Sequence, residues 1–109
     1  MIRALQPLRI PGGWNVSYNT WCEVDVDAEG LDAFEFFQQD LLQVKNKRFN
    51  ILLDVGWYGD YTVGAFRAVV HRGDFQGPEL ASFTSPKRLE VVSMVEQWLD
   101  APETLTDPK

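Results

Sequence analysis

The sequence predicts an α+β protein in which a mostly antiparallel sheet carries two helices packed on one of its faces. Apolar and polar residues alternate over 14–20 and again over 49–72, which is the period of β-strands. Apolar residues recur at helical spacing over 28–44 and after Ser85. The later connections are too short for parallel crossovers. The predicted order is therefore strand, helix, three-strand meander and helix.

The first half of the chain contains the predicted first strand and first helix. A turn at Pro11–Gly13 precedes the alternating residues from Trp14 to Thr20. Asp27 is a suitable N-cap for the helix over 28–44. Its buried stripe consists of Leu31, Phe34, Phe37, Leu41 and Val44 or Leu42. Positive charge follows at its C-terminal end, where it is favourable, from Lys45, Lys47 and Arg48.

The meander begins with a hairpin whose two-residue turn is predicted at Gly59-Asp60, so that Tyr58 pairs with Tyr61. The face under the helices is then apolar and consists of Phe49, Ile51, Leu53, Val55, Trp57, Phe66, Ala68 and Val70. The opposite face is mixed and consists of Leu52, Asp54, Gly56, Tyr58, Tyr61, Val63, Arg67, Val69 and His71. A longer turn could slip this pairing and move every side chain to the opposite face.

The third meander strand and the second helix complete the predicted domain. Glu79 to Thr84 supplies the strand, and Ser85-Pro86 is a strong helix start. The buried stripe of this helix consists of Leu89, Val92, Val95 and Leu99, widened by Val91, Met94 and Trp98. We expect one α+β domain over residues 1–100 and a flexible tail over 101–109, which holds two prolines and little to bury.

Charge and composition exclude several classes of protein. Ten basic and sixteen acidic residues give a net charge of −6, which disfavours nucleic acid as a direct ligand. With Cys22 as the one cysteine, no internal disulfide or multi-cysteine zinc site is possible. No signal peptide or membrane-spanning run is apparent, so a soluble cytoplasmic protein is expected.

The chain offers little for catalysis. His71 and Cys22 could meet only through the tertiary structure, and lone residues on strand patterns are usually structural. Asp25, Asp27 and Glu29 alternate as in a calcium loop, but the rest of that motif is missing and helix capping explains them better. We therefore predict no enzymatic activity, no metal and no cofactor.

The mixed face of the hairpin is the predicted partner-binding surface, because aromatic anchors stand there beside charges of both signs. Its candidate residues are Asp54, Tyr58, Asp60, Tyr61 and Arg67, and Asp54 is expected to form a cross-strand ion pair with Arg67. The acidic residues Glu35 and Asp40 on the predicted first helix are an alternative docking site. Alternatively, the mixed face has no binding role and is an ordinary sheet surface that is either exposed to solvent or covered by another part of the chain.

Three segments carry a resemblance to a known class: residues 8–19, 50–58 and 82–90. Together they make the chain resemble the small acidic immunity proteins that protect bacteria from polymorphic toxins, including those of contact-dependent growth inhibition. The resemblance implies a stoichiometric, non-catalytic inhibitor of a cognate toxin domain, often a basic nuclease. It carries no set of functional residues onto this chain. The free protein is expected to be a monomer or a weak homodimer.

Two other classes remain open at this stage. A small enzyme or ligand-binding domain would use His71, Asp54, Arg67 and Tyr58 around a concave site. A structural or regulatory subunit would oligomerise through the mixed sheet face or through a sheet edge.

Overall fold

The computed structural model describes residues 6–21, 40–59 and 64–105. These residues form one five-stranded antiparallel sheet in which the strands lie in chain order. The strands are β1 (Trp14–Asn19), β2 (Leu42–Asn46), β3 (Ile51–Tyr58), β4 (Ala65–Arg72) and β5 (Glu79–Ser85). They are followed by the helix α1 (Arg88–Asp100) and a 3-10 helix (Pro102–Leu105).

The predicted fold, with two helices on one face of the sheet, is wrong. The described residues are mostly sheet, with α1 as their single α-helix. The strand β2 occupies Leu42–Asn46, where the sequence predicts the end of the helix over 28–44. These residues pair with β1 on one side and β3 on the other, and this pairing outweighs their helical spacing. The earlier part of that predicted helix, residues 28–39, lies outside the described residues.

The connection between β3 and β4 is longer than two residues. The predicted two-residue turn at Gly59-Asp60 is therefore wrong. Tyr58 pairs with Ala65, so the register differs by four positions from a pairing with Tyr61. An even shift keeps each side chain on its predicted face, because the side chains of a strand alternate with a period of two. Trp57 accordingly pairs with Phe66 on the apolar face, as the alternation predicts for that face.

The main core lies between this apolar face, which we call the core face, and α1. Its buried members on the sheet are Leu42, Val44, Ile51, Leu53, Val55, Trp57, Phe66, Ala68 and Val70. The Trp57 and Phe66 rings meet edge to face with their centroids 4.9 Å apart. Trp14 Nε1 donates to the Leu99 carbonyl oxygen at 2.9 Å, which ties the first strand to the helix.

The sequence predicts a helix that is capped by Ser85 and begins at Pro86. The helix α1 begins two residues later, at Arg88. The Ser85 hydroxyl instead accepts from Lys87 N at 3.0 Å and donates to Glu90 Oε1 at 2.6 Å. Leu89 is 64% exposed, so its place in the buried stripe is also wrong. The buried residues of α1 are Val91, Val92, Val95, Trp98 and Leu99.

The 3-10 helix lies within the segment for which the sequence predicts a tail. Its last residue, Leu105, is buried and belongs to the core cluster. The remaining tail residues, 106–109, lie outside the described part of the chain. No helix among the described residues is long and apolar enough to cross a membrane.

Candidate functional site

Strand pairing collects polar side chains on the face of the sheet that is turned away from α1. One row across this face joins Gln43, Asp54 and Val69, and the next joins Lys45, Leu52 and His71. We call this surface the second sheet face, and define it by Gln43, Lys45, Leu52, Asp54, Arg67, Val69 and His71. Asp40 precedes β2 and Tyr58 ends β3, and both are exposed.

The second sheet face is covered at its centre. Leu52 is 5% exposed, Asp54 7% and Val69 3%. Of the alternatives that the sequence leaves open for this face, the covered sheet surface describes its centre, and Leu52 and Val69 form no exposed apolar patch. The strand β3 is central in the sheet and is buried on both faces from Ile51 to Trp57, so the polar alternation at Asp54 does not mark a solvent-facing position.

Asp54 is a buried acid with an unsatisfied oxygen. Its Oδ1 has no hydrogen-bond partner, although nearly all buried polar atoms in folded proteins have one. Burial, and to a lesser extent the negative charge of Asp40, raises the pKa of the Asp54 carboxyl to about 6. His71 and Arg67 act in the opposite direction on that pKa but do not restore the ordinary value.

The basic side chains of the second sheet face are held by other acceptors. Arg67 Nη2 donates to both carboxylate oxygens of Glu79, at 3.1 and 3.2 Å, so the predicted ion pair of Arg67 with Asp54 is wrong. Lys45 Nζ donates to the Gly73 carbonyl oxygen. His71 Nδ1 lies 3.2 Å from the Gly77 carbonyl oxygen.

Tyr58 stands at the rim of the same acidic centre and is 38% exposed. Partial burial raises the pKa of its hydroxyl, as do the charges of Asp54 and Asp40, whereas Arg67 lowers that pKa. Asp40, Asp54 and Tyr58 therefore lie within electrostatic reach of one another. Of the other residues predicted for partner binding, Asp60, Tyr61 and Glu35 lie outside the described residues.

Three residues near this centre were not recognised from the sequence. Tyr18, 41% exposed, pairs with Gln43 because a register irregularity between Val16 and Tyr18 turns it toward the second sheet face. Lys45 lies at a predicted helix end, although the alternation of apolar and polar residues in β2 also favours a strand there. Glu79 pairs with His71 beyond a second register irregularity, which falls between Val70 and His71. Because regular strand alternation does not predict this shift, the contact of Glu79 with Arg67 had no signal in the sequence.

A groove lies elsewhere, at the C-terminal end of α1. It contains cavities of about 290 and 380 Å³ that share Pro11 and Asp100 in their walls. Trp14 and Leu99 line the smaller cavity, and Glu96 lines the larger one. Neither cavity includes Asp54, Tyr58 or His71, so neither is the concave site that an enzyme built on those residues requires.

The chemistry available at the second sheet face is acidic and aromatic. Among the described residues no group of three or more His, Cys, Asp or Glu side chains could hold a metal ion. Asp40 and Asp54 can accept hydrogen bonds from a cation, and Tyr58 offers a ring for stacking.

No protein-family model, curated protein or solved structure matches this chain.

Proposed function

We propose that the chain is a non-catalytic immunity protein, which binds a basic bacterial toxin domain in the cytoplasm and blocks its action. The observation that carries the proposal is the acidic and aromatic rim of the second sheet face, where exposed Asp40 and Tyr58 lie within electrostatic reach of the unpartnered Asp54. Exposed aromatic residues beside charges are typical of protein-binding sites. The net charge of −6 adds long-range attraction to a basic partner.

The rim is also suited to a protein rather than to a small substrate. Tyr58 and Tyr18 are each about two-fifths exposed, at 38% and 41%. Two such rings provide a large contact area at a low cost in side-chain entropy. Protein-sized contact surfaces are broad, whereas small-molecule sites are concave pockets.

The decisive experiment is protection of bacterial cells that produce a candidate toxin domain, chosen from the open reading frames that neighbour the gene for this chain. We expect the wild-type chain to restore growth, and the double variant Asp40→Ala, Tyr58→Ala to restore it much less. Both positions are exposed, so the double variant keeps its fold. The matched control is Leu89→Ala, an exposed apolar residue on α1, which should protect fully.

Two outcomes would overturn parts of this proposal. Full protection by the double variant would remove the Asp40–Tyr58 rim from the interface. Failure of the wild-type chain to bind or to protect against that toxin would remove the immunity function itself.

A small enzyme is the second candidate, and it is favoured by one observation: the raised pKa of Asp54 beside Tyr58, Arg67 and His71. Stoichiometry separates the two. An inhibitor needs one molecule per toxin molecule in a purified assay, whereas an enzyme that destroys the toxin or its product acts in substoichiometric amounts. The groove at the end of α1 adds nothing to the enzyme candidate, because these acid and base groups do not line it.

A further inference from the structure

The groove at the C-terminal end of α1 is an open concave feature that the proposed function does not use. It lies at the opposite end of β3 from Tyr58, because Asn46 in its wall pairs with Ile51 at the start of that strand. Its two cavities, of about 380 and 290 Å³, share Pro11 and Asp100, which are both exposed. The groove is therefore accessible to a ligand, unlike the covered centre of the second sheet face.

The smaller cavity has mostly apolar walls, formed by Pro11, Trp14, Phe49, Leu99 and Pro102. The indole of Trp14 is held in place, since its Nε1 donates to the Leu99 carbonyl oxygen at 2.9 Å. At the edge of the cavity the Arg48 guanidinium carbon lies 5.4 Å from the centroid of the Phe49 ring. A volume of about 290 Å³ is near the lower limit of ligand pockets, roughly 300 Å³, so one large apolar side chain is a suitable occupant.

A buried amide group in the wall of this cavity has a donor to spare. Asn46 is 3% exposed, and its Oδ1 accepts a hydrogen bond from Phe49 N at 3.1 Å. Its Nδ2 donates to no other described residue and lies close to Gly13, where an added Cβ would be 3.9 Å from it. Buried amide donors are normally hydrogen-bonded. A ligand with a carbonyl oxygen would satisfy Asn46, and the backbone of an extended peptide supplies one.

The larger cavity is suited to a cation. Glu96 and Asp100 line it, and the last turn of α1 contains no basic residue. The C-terminal end of a helix carries partial negative charge, so these carboxylates add to the negative potential there. Arg9 also lines the cavity, and its backbone N donates to Glu96 Oε2 at 3.0 Å. Two carboxylates and a helix C-terminus outweigh its single positive charge, which favours a lysine or arginine side chain as the occupant.

We propose that the groove binds an extended segment of a basic protein partner, with a large apolar side chain in the smaller cavity and a neighbouring lysine or arginine in the larger one. A backbone carbonyl of the segment would accept from Asn46 Nδ2. Charge complementarity favours this occupant, since the net charge of the chain is −6 and the charged residues of the groove are Glu96, Asp100 and Glu103 against Arg9 and Arg48. The proposal goes beyond the immunity function, because it assigns a second docking site and does not require the partner to be a toxin.

The test is an NMR titration of the isotope-labelled full chain with the synthetic peptide acetyl-Lys-Phe-Lys-amide at low salt. A lysine on each side of the phenylalanine allows the peptide to bind in either direction. We expect it to shift the indole N–H signal of Trp14 and the side-chain NH₂ signals of Asn46, and to leave the ring signals of Tyr58 unchanged.

Two matched peptides test the two halves of the groove separately. Acetyl-Lys-Ala-Lys-amide lacks the apolar side chain and should bind about tenfold more weakly, because it leaves the smaller cavity empty. Acetyl-Glu-Phe-Glu-amide keeps that side chain but reverses the flanking charges, and it should bind about fivefold more weakly.

A double variant of the groove and a matched control test the same charges from the side of the protein. Glu96→Gln keeps an oxygen that can accept from Arg9 N, and Asp100 is exposed, so the double variant Glu96→Gln, Asp100→Asn keeps its fold. It should bind acetyl-Lys-Phe-Lys-amide about fivefold more weakly. Asp40→Asn, Asp74→Asn removes two negative charges from exposed positions outside the groove and should leave the affinity unchanged.

Equal affinity for the three peptides, or no shift at Trp14 and Asn46, would overturn the inference. So would an unchanged affinity in the Glu96→Gln, Asp100→Asn variant. If the Trp14 and Asn46 signals shift when the protein is concentrated without peptide, a second copy of the chain occupies the groove, and the inference is again wrong. The titration contains no toxin and the protection assay leaves the groove intact, so either proposal can fail while the other holds.

Discussion

Asp54 and Val55 are neighbours in β3, yet they point to opposite faces of one sheet and meet opposite surroundings. Val55 is fully buried among apolar side chains under α1. Asp54 is almost as buried, but one of its oxygens has no partner. Asp54 thus differs from Val55 in having a buried polar atom without a hydrogen-bond partner, and not in the extent of its burial. The core face stabilises the fold, whereas the second sheet face contains a destabilising group for which folding alone gives no reason.

The largest expected effect comes from breaking the core face. Trp98 is 9% exposed and belongs to the core cluster between α1 and the sheet. Trp98→Ala should lower the free energy of unfolding by about 3–5 kcal/mol, through lost apolar burial and the cavity it leaves. Chemical denaturation measures this loss. Leu89→Ala on the exposed side of the same helix should change it by less than about 0.5 kcal/mol. Similar losses in both variants would contradict the described orientation of α1.

The second effect has the opposite sign and comes from Asp54. Its pKa rises from 3.8 to about 6 on folding, so the folded state binds a proton more tightly than the unfolded state. The stability that this proton provides is present below pH 4 and is lost as pH rises through 6. This loss is on the order of 3 kcal/mol. Asp54→Asn removes this pH-dependent loss. The free energy of unfolding of the variant should therefore rise relative to that of the wild type between pH 4 and pH 7.

Denaturation at a series of pH values measures that gain as the difference between the variant and the wild type. Asp100→Asn is the control, since it removes an exposed charge and should show no such trend. A difference that stays constant with pH would mean that Asp54 is satisfied in solution. The contrast between the two faces would then disappear.

Strand alternation could predict which residues share a face, and it did so for β3 and β4. The predicted register is wrong by four positions, but the core face still contains Ile51, Leu53, Val55 and Trp57 as predicted. The length of the connection could not be predicted, because Gly59-Asp60 satisfies the residue preferences of a short turn whether or not the chain uses it.

The errors at β2 and at Asp54 have one physical cause: both depend on neighbours that are distant in sequence. Leu41, Leu42 and Val44 fit a helical stripe, while Leu42 and Val44 also fit a strand. Pairing with β1 and β3 decides between the two. Asp54 likewise reads as a solvent-facing residue of an alternating strand, and only the assembled sheet shows that it is buried. The polar character of the candidate site was therefore predictable, but its missing partner was not.

The smallest effect on stability is expected from substitution of Glu79. The same substitution tests directly whether Asp54 lacks a partner. Its ion pair with Arg67 is exposed, with 36% of the arginine side chain and 47% of the glutamate side chain accessible. Glu79→Gln should therefore change the free energy of unfolding by less than about 1 kcal/mol.

The same substitution should have a clear electrostatic consequence at Asp54. Arg67 pairs with Gly56 across β3 and β4, which places it diagonally from Asp54 on the second sheet face. Once released from Glu79, its guanidinium group can turn toward the unpartnered carboxylate and lower the Asp54 pKa below that of the wild type. NMR titration of the Asp54 carboxyl measures this shift, with Asp74→Asn as a control for the lost charge in an exposed loop. An unchanged Asp54 pKa in Glu79→Gln would show that the released Arg67 does not reach this carboxyl.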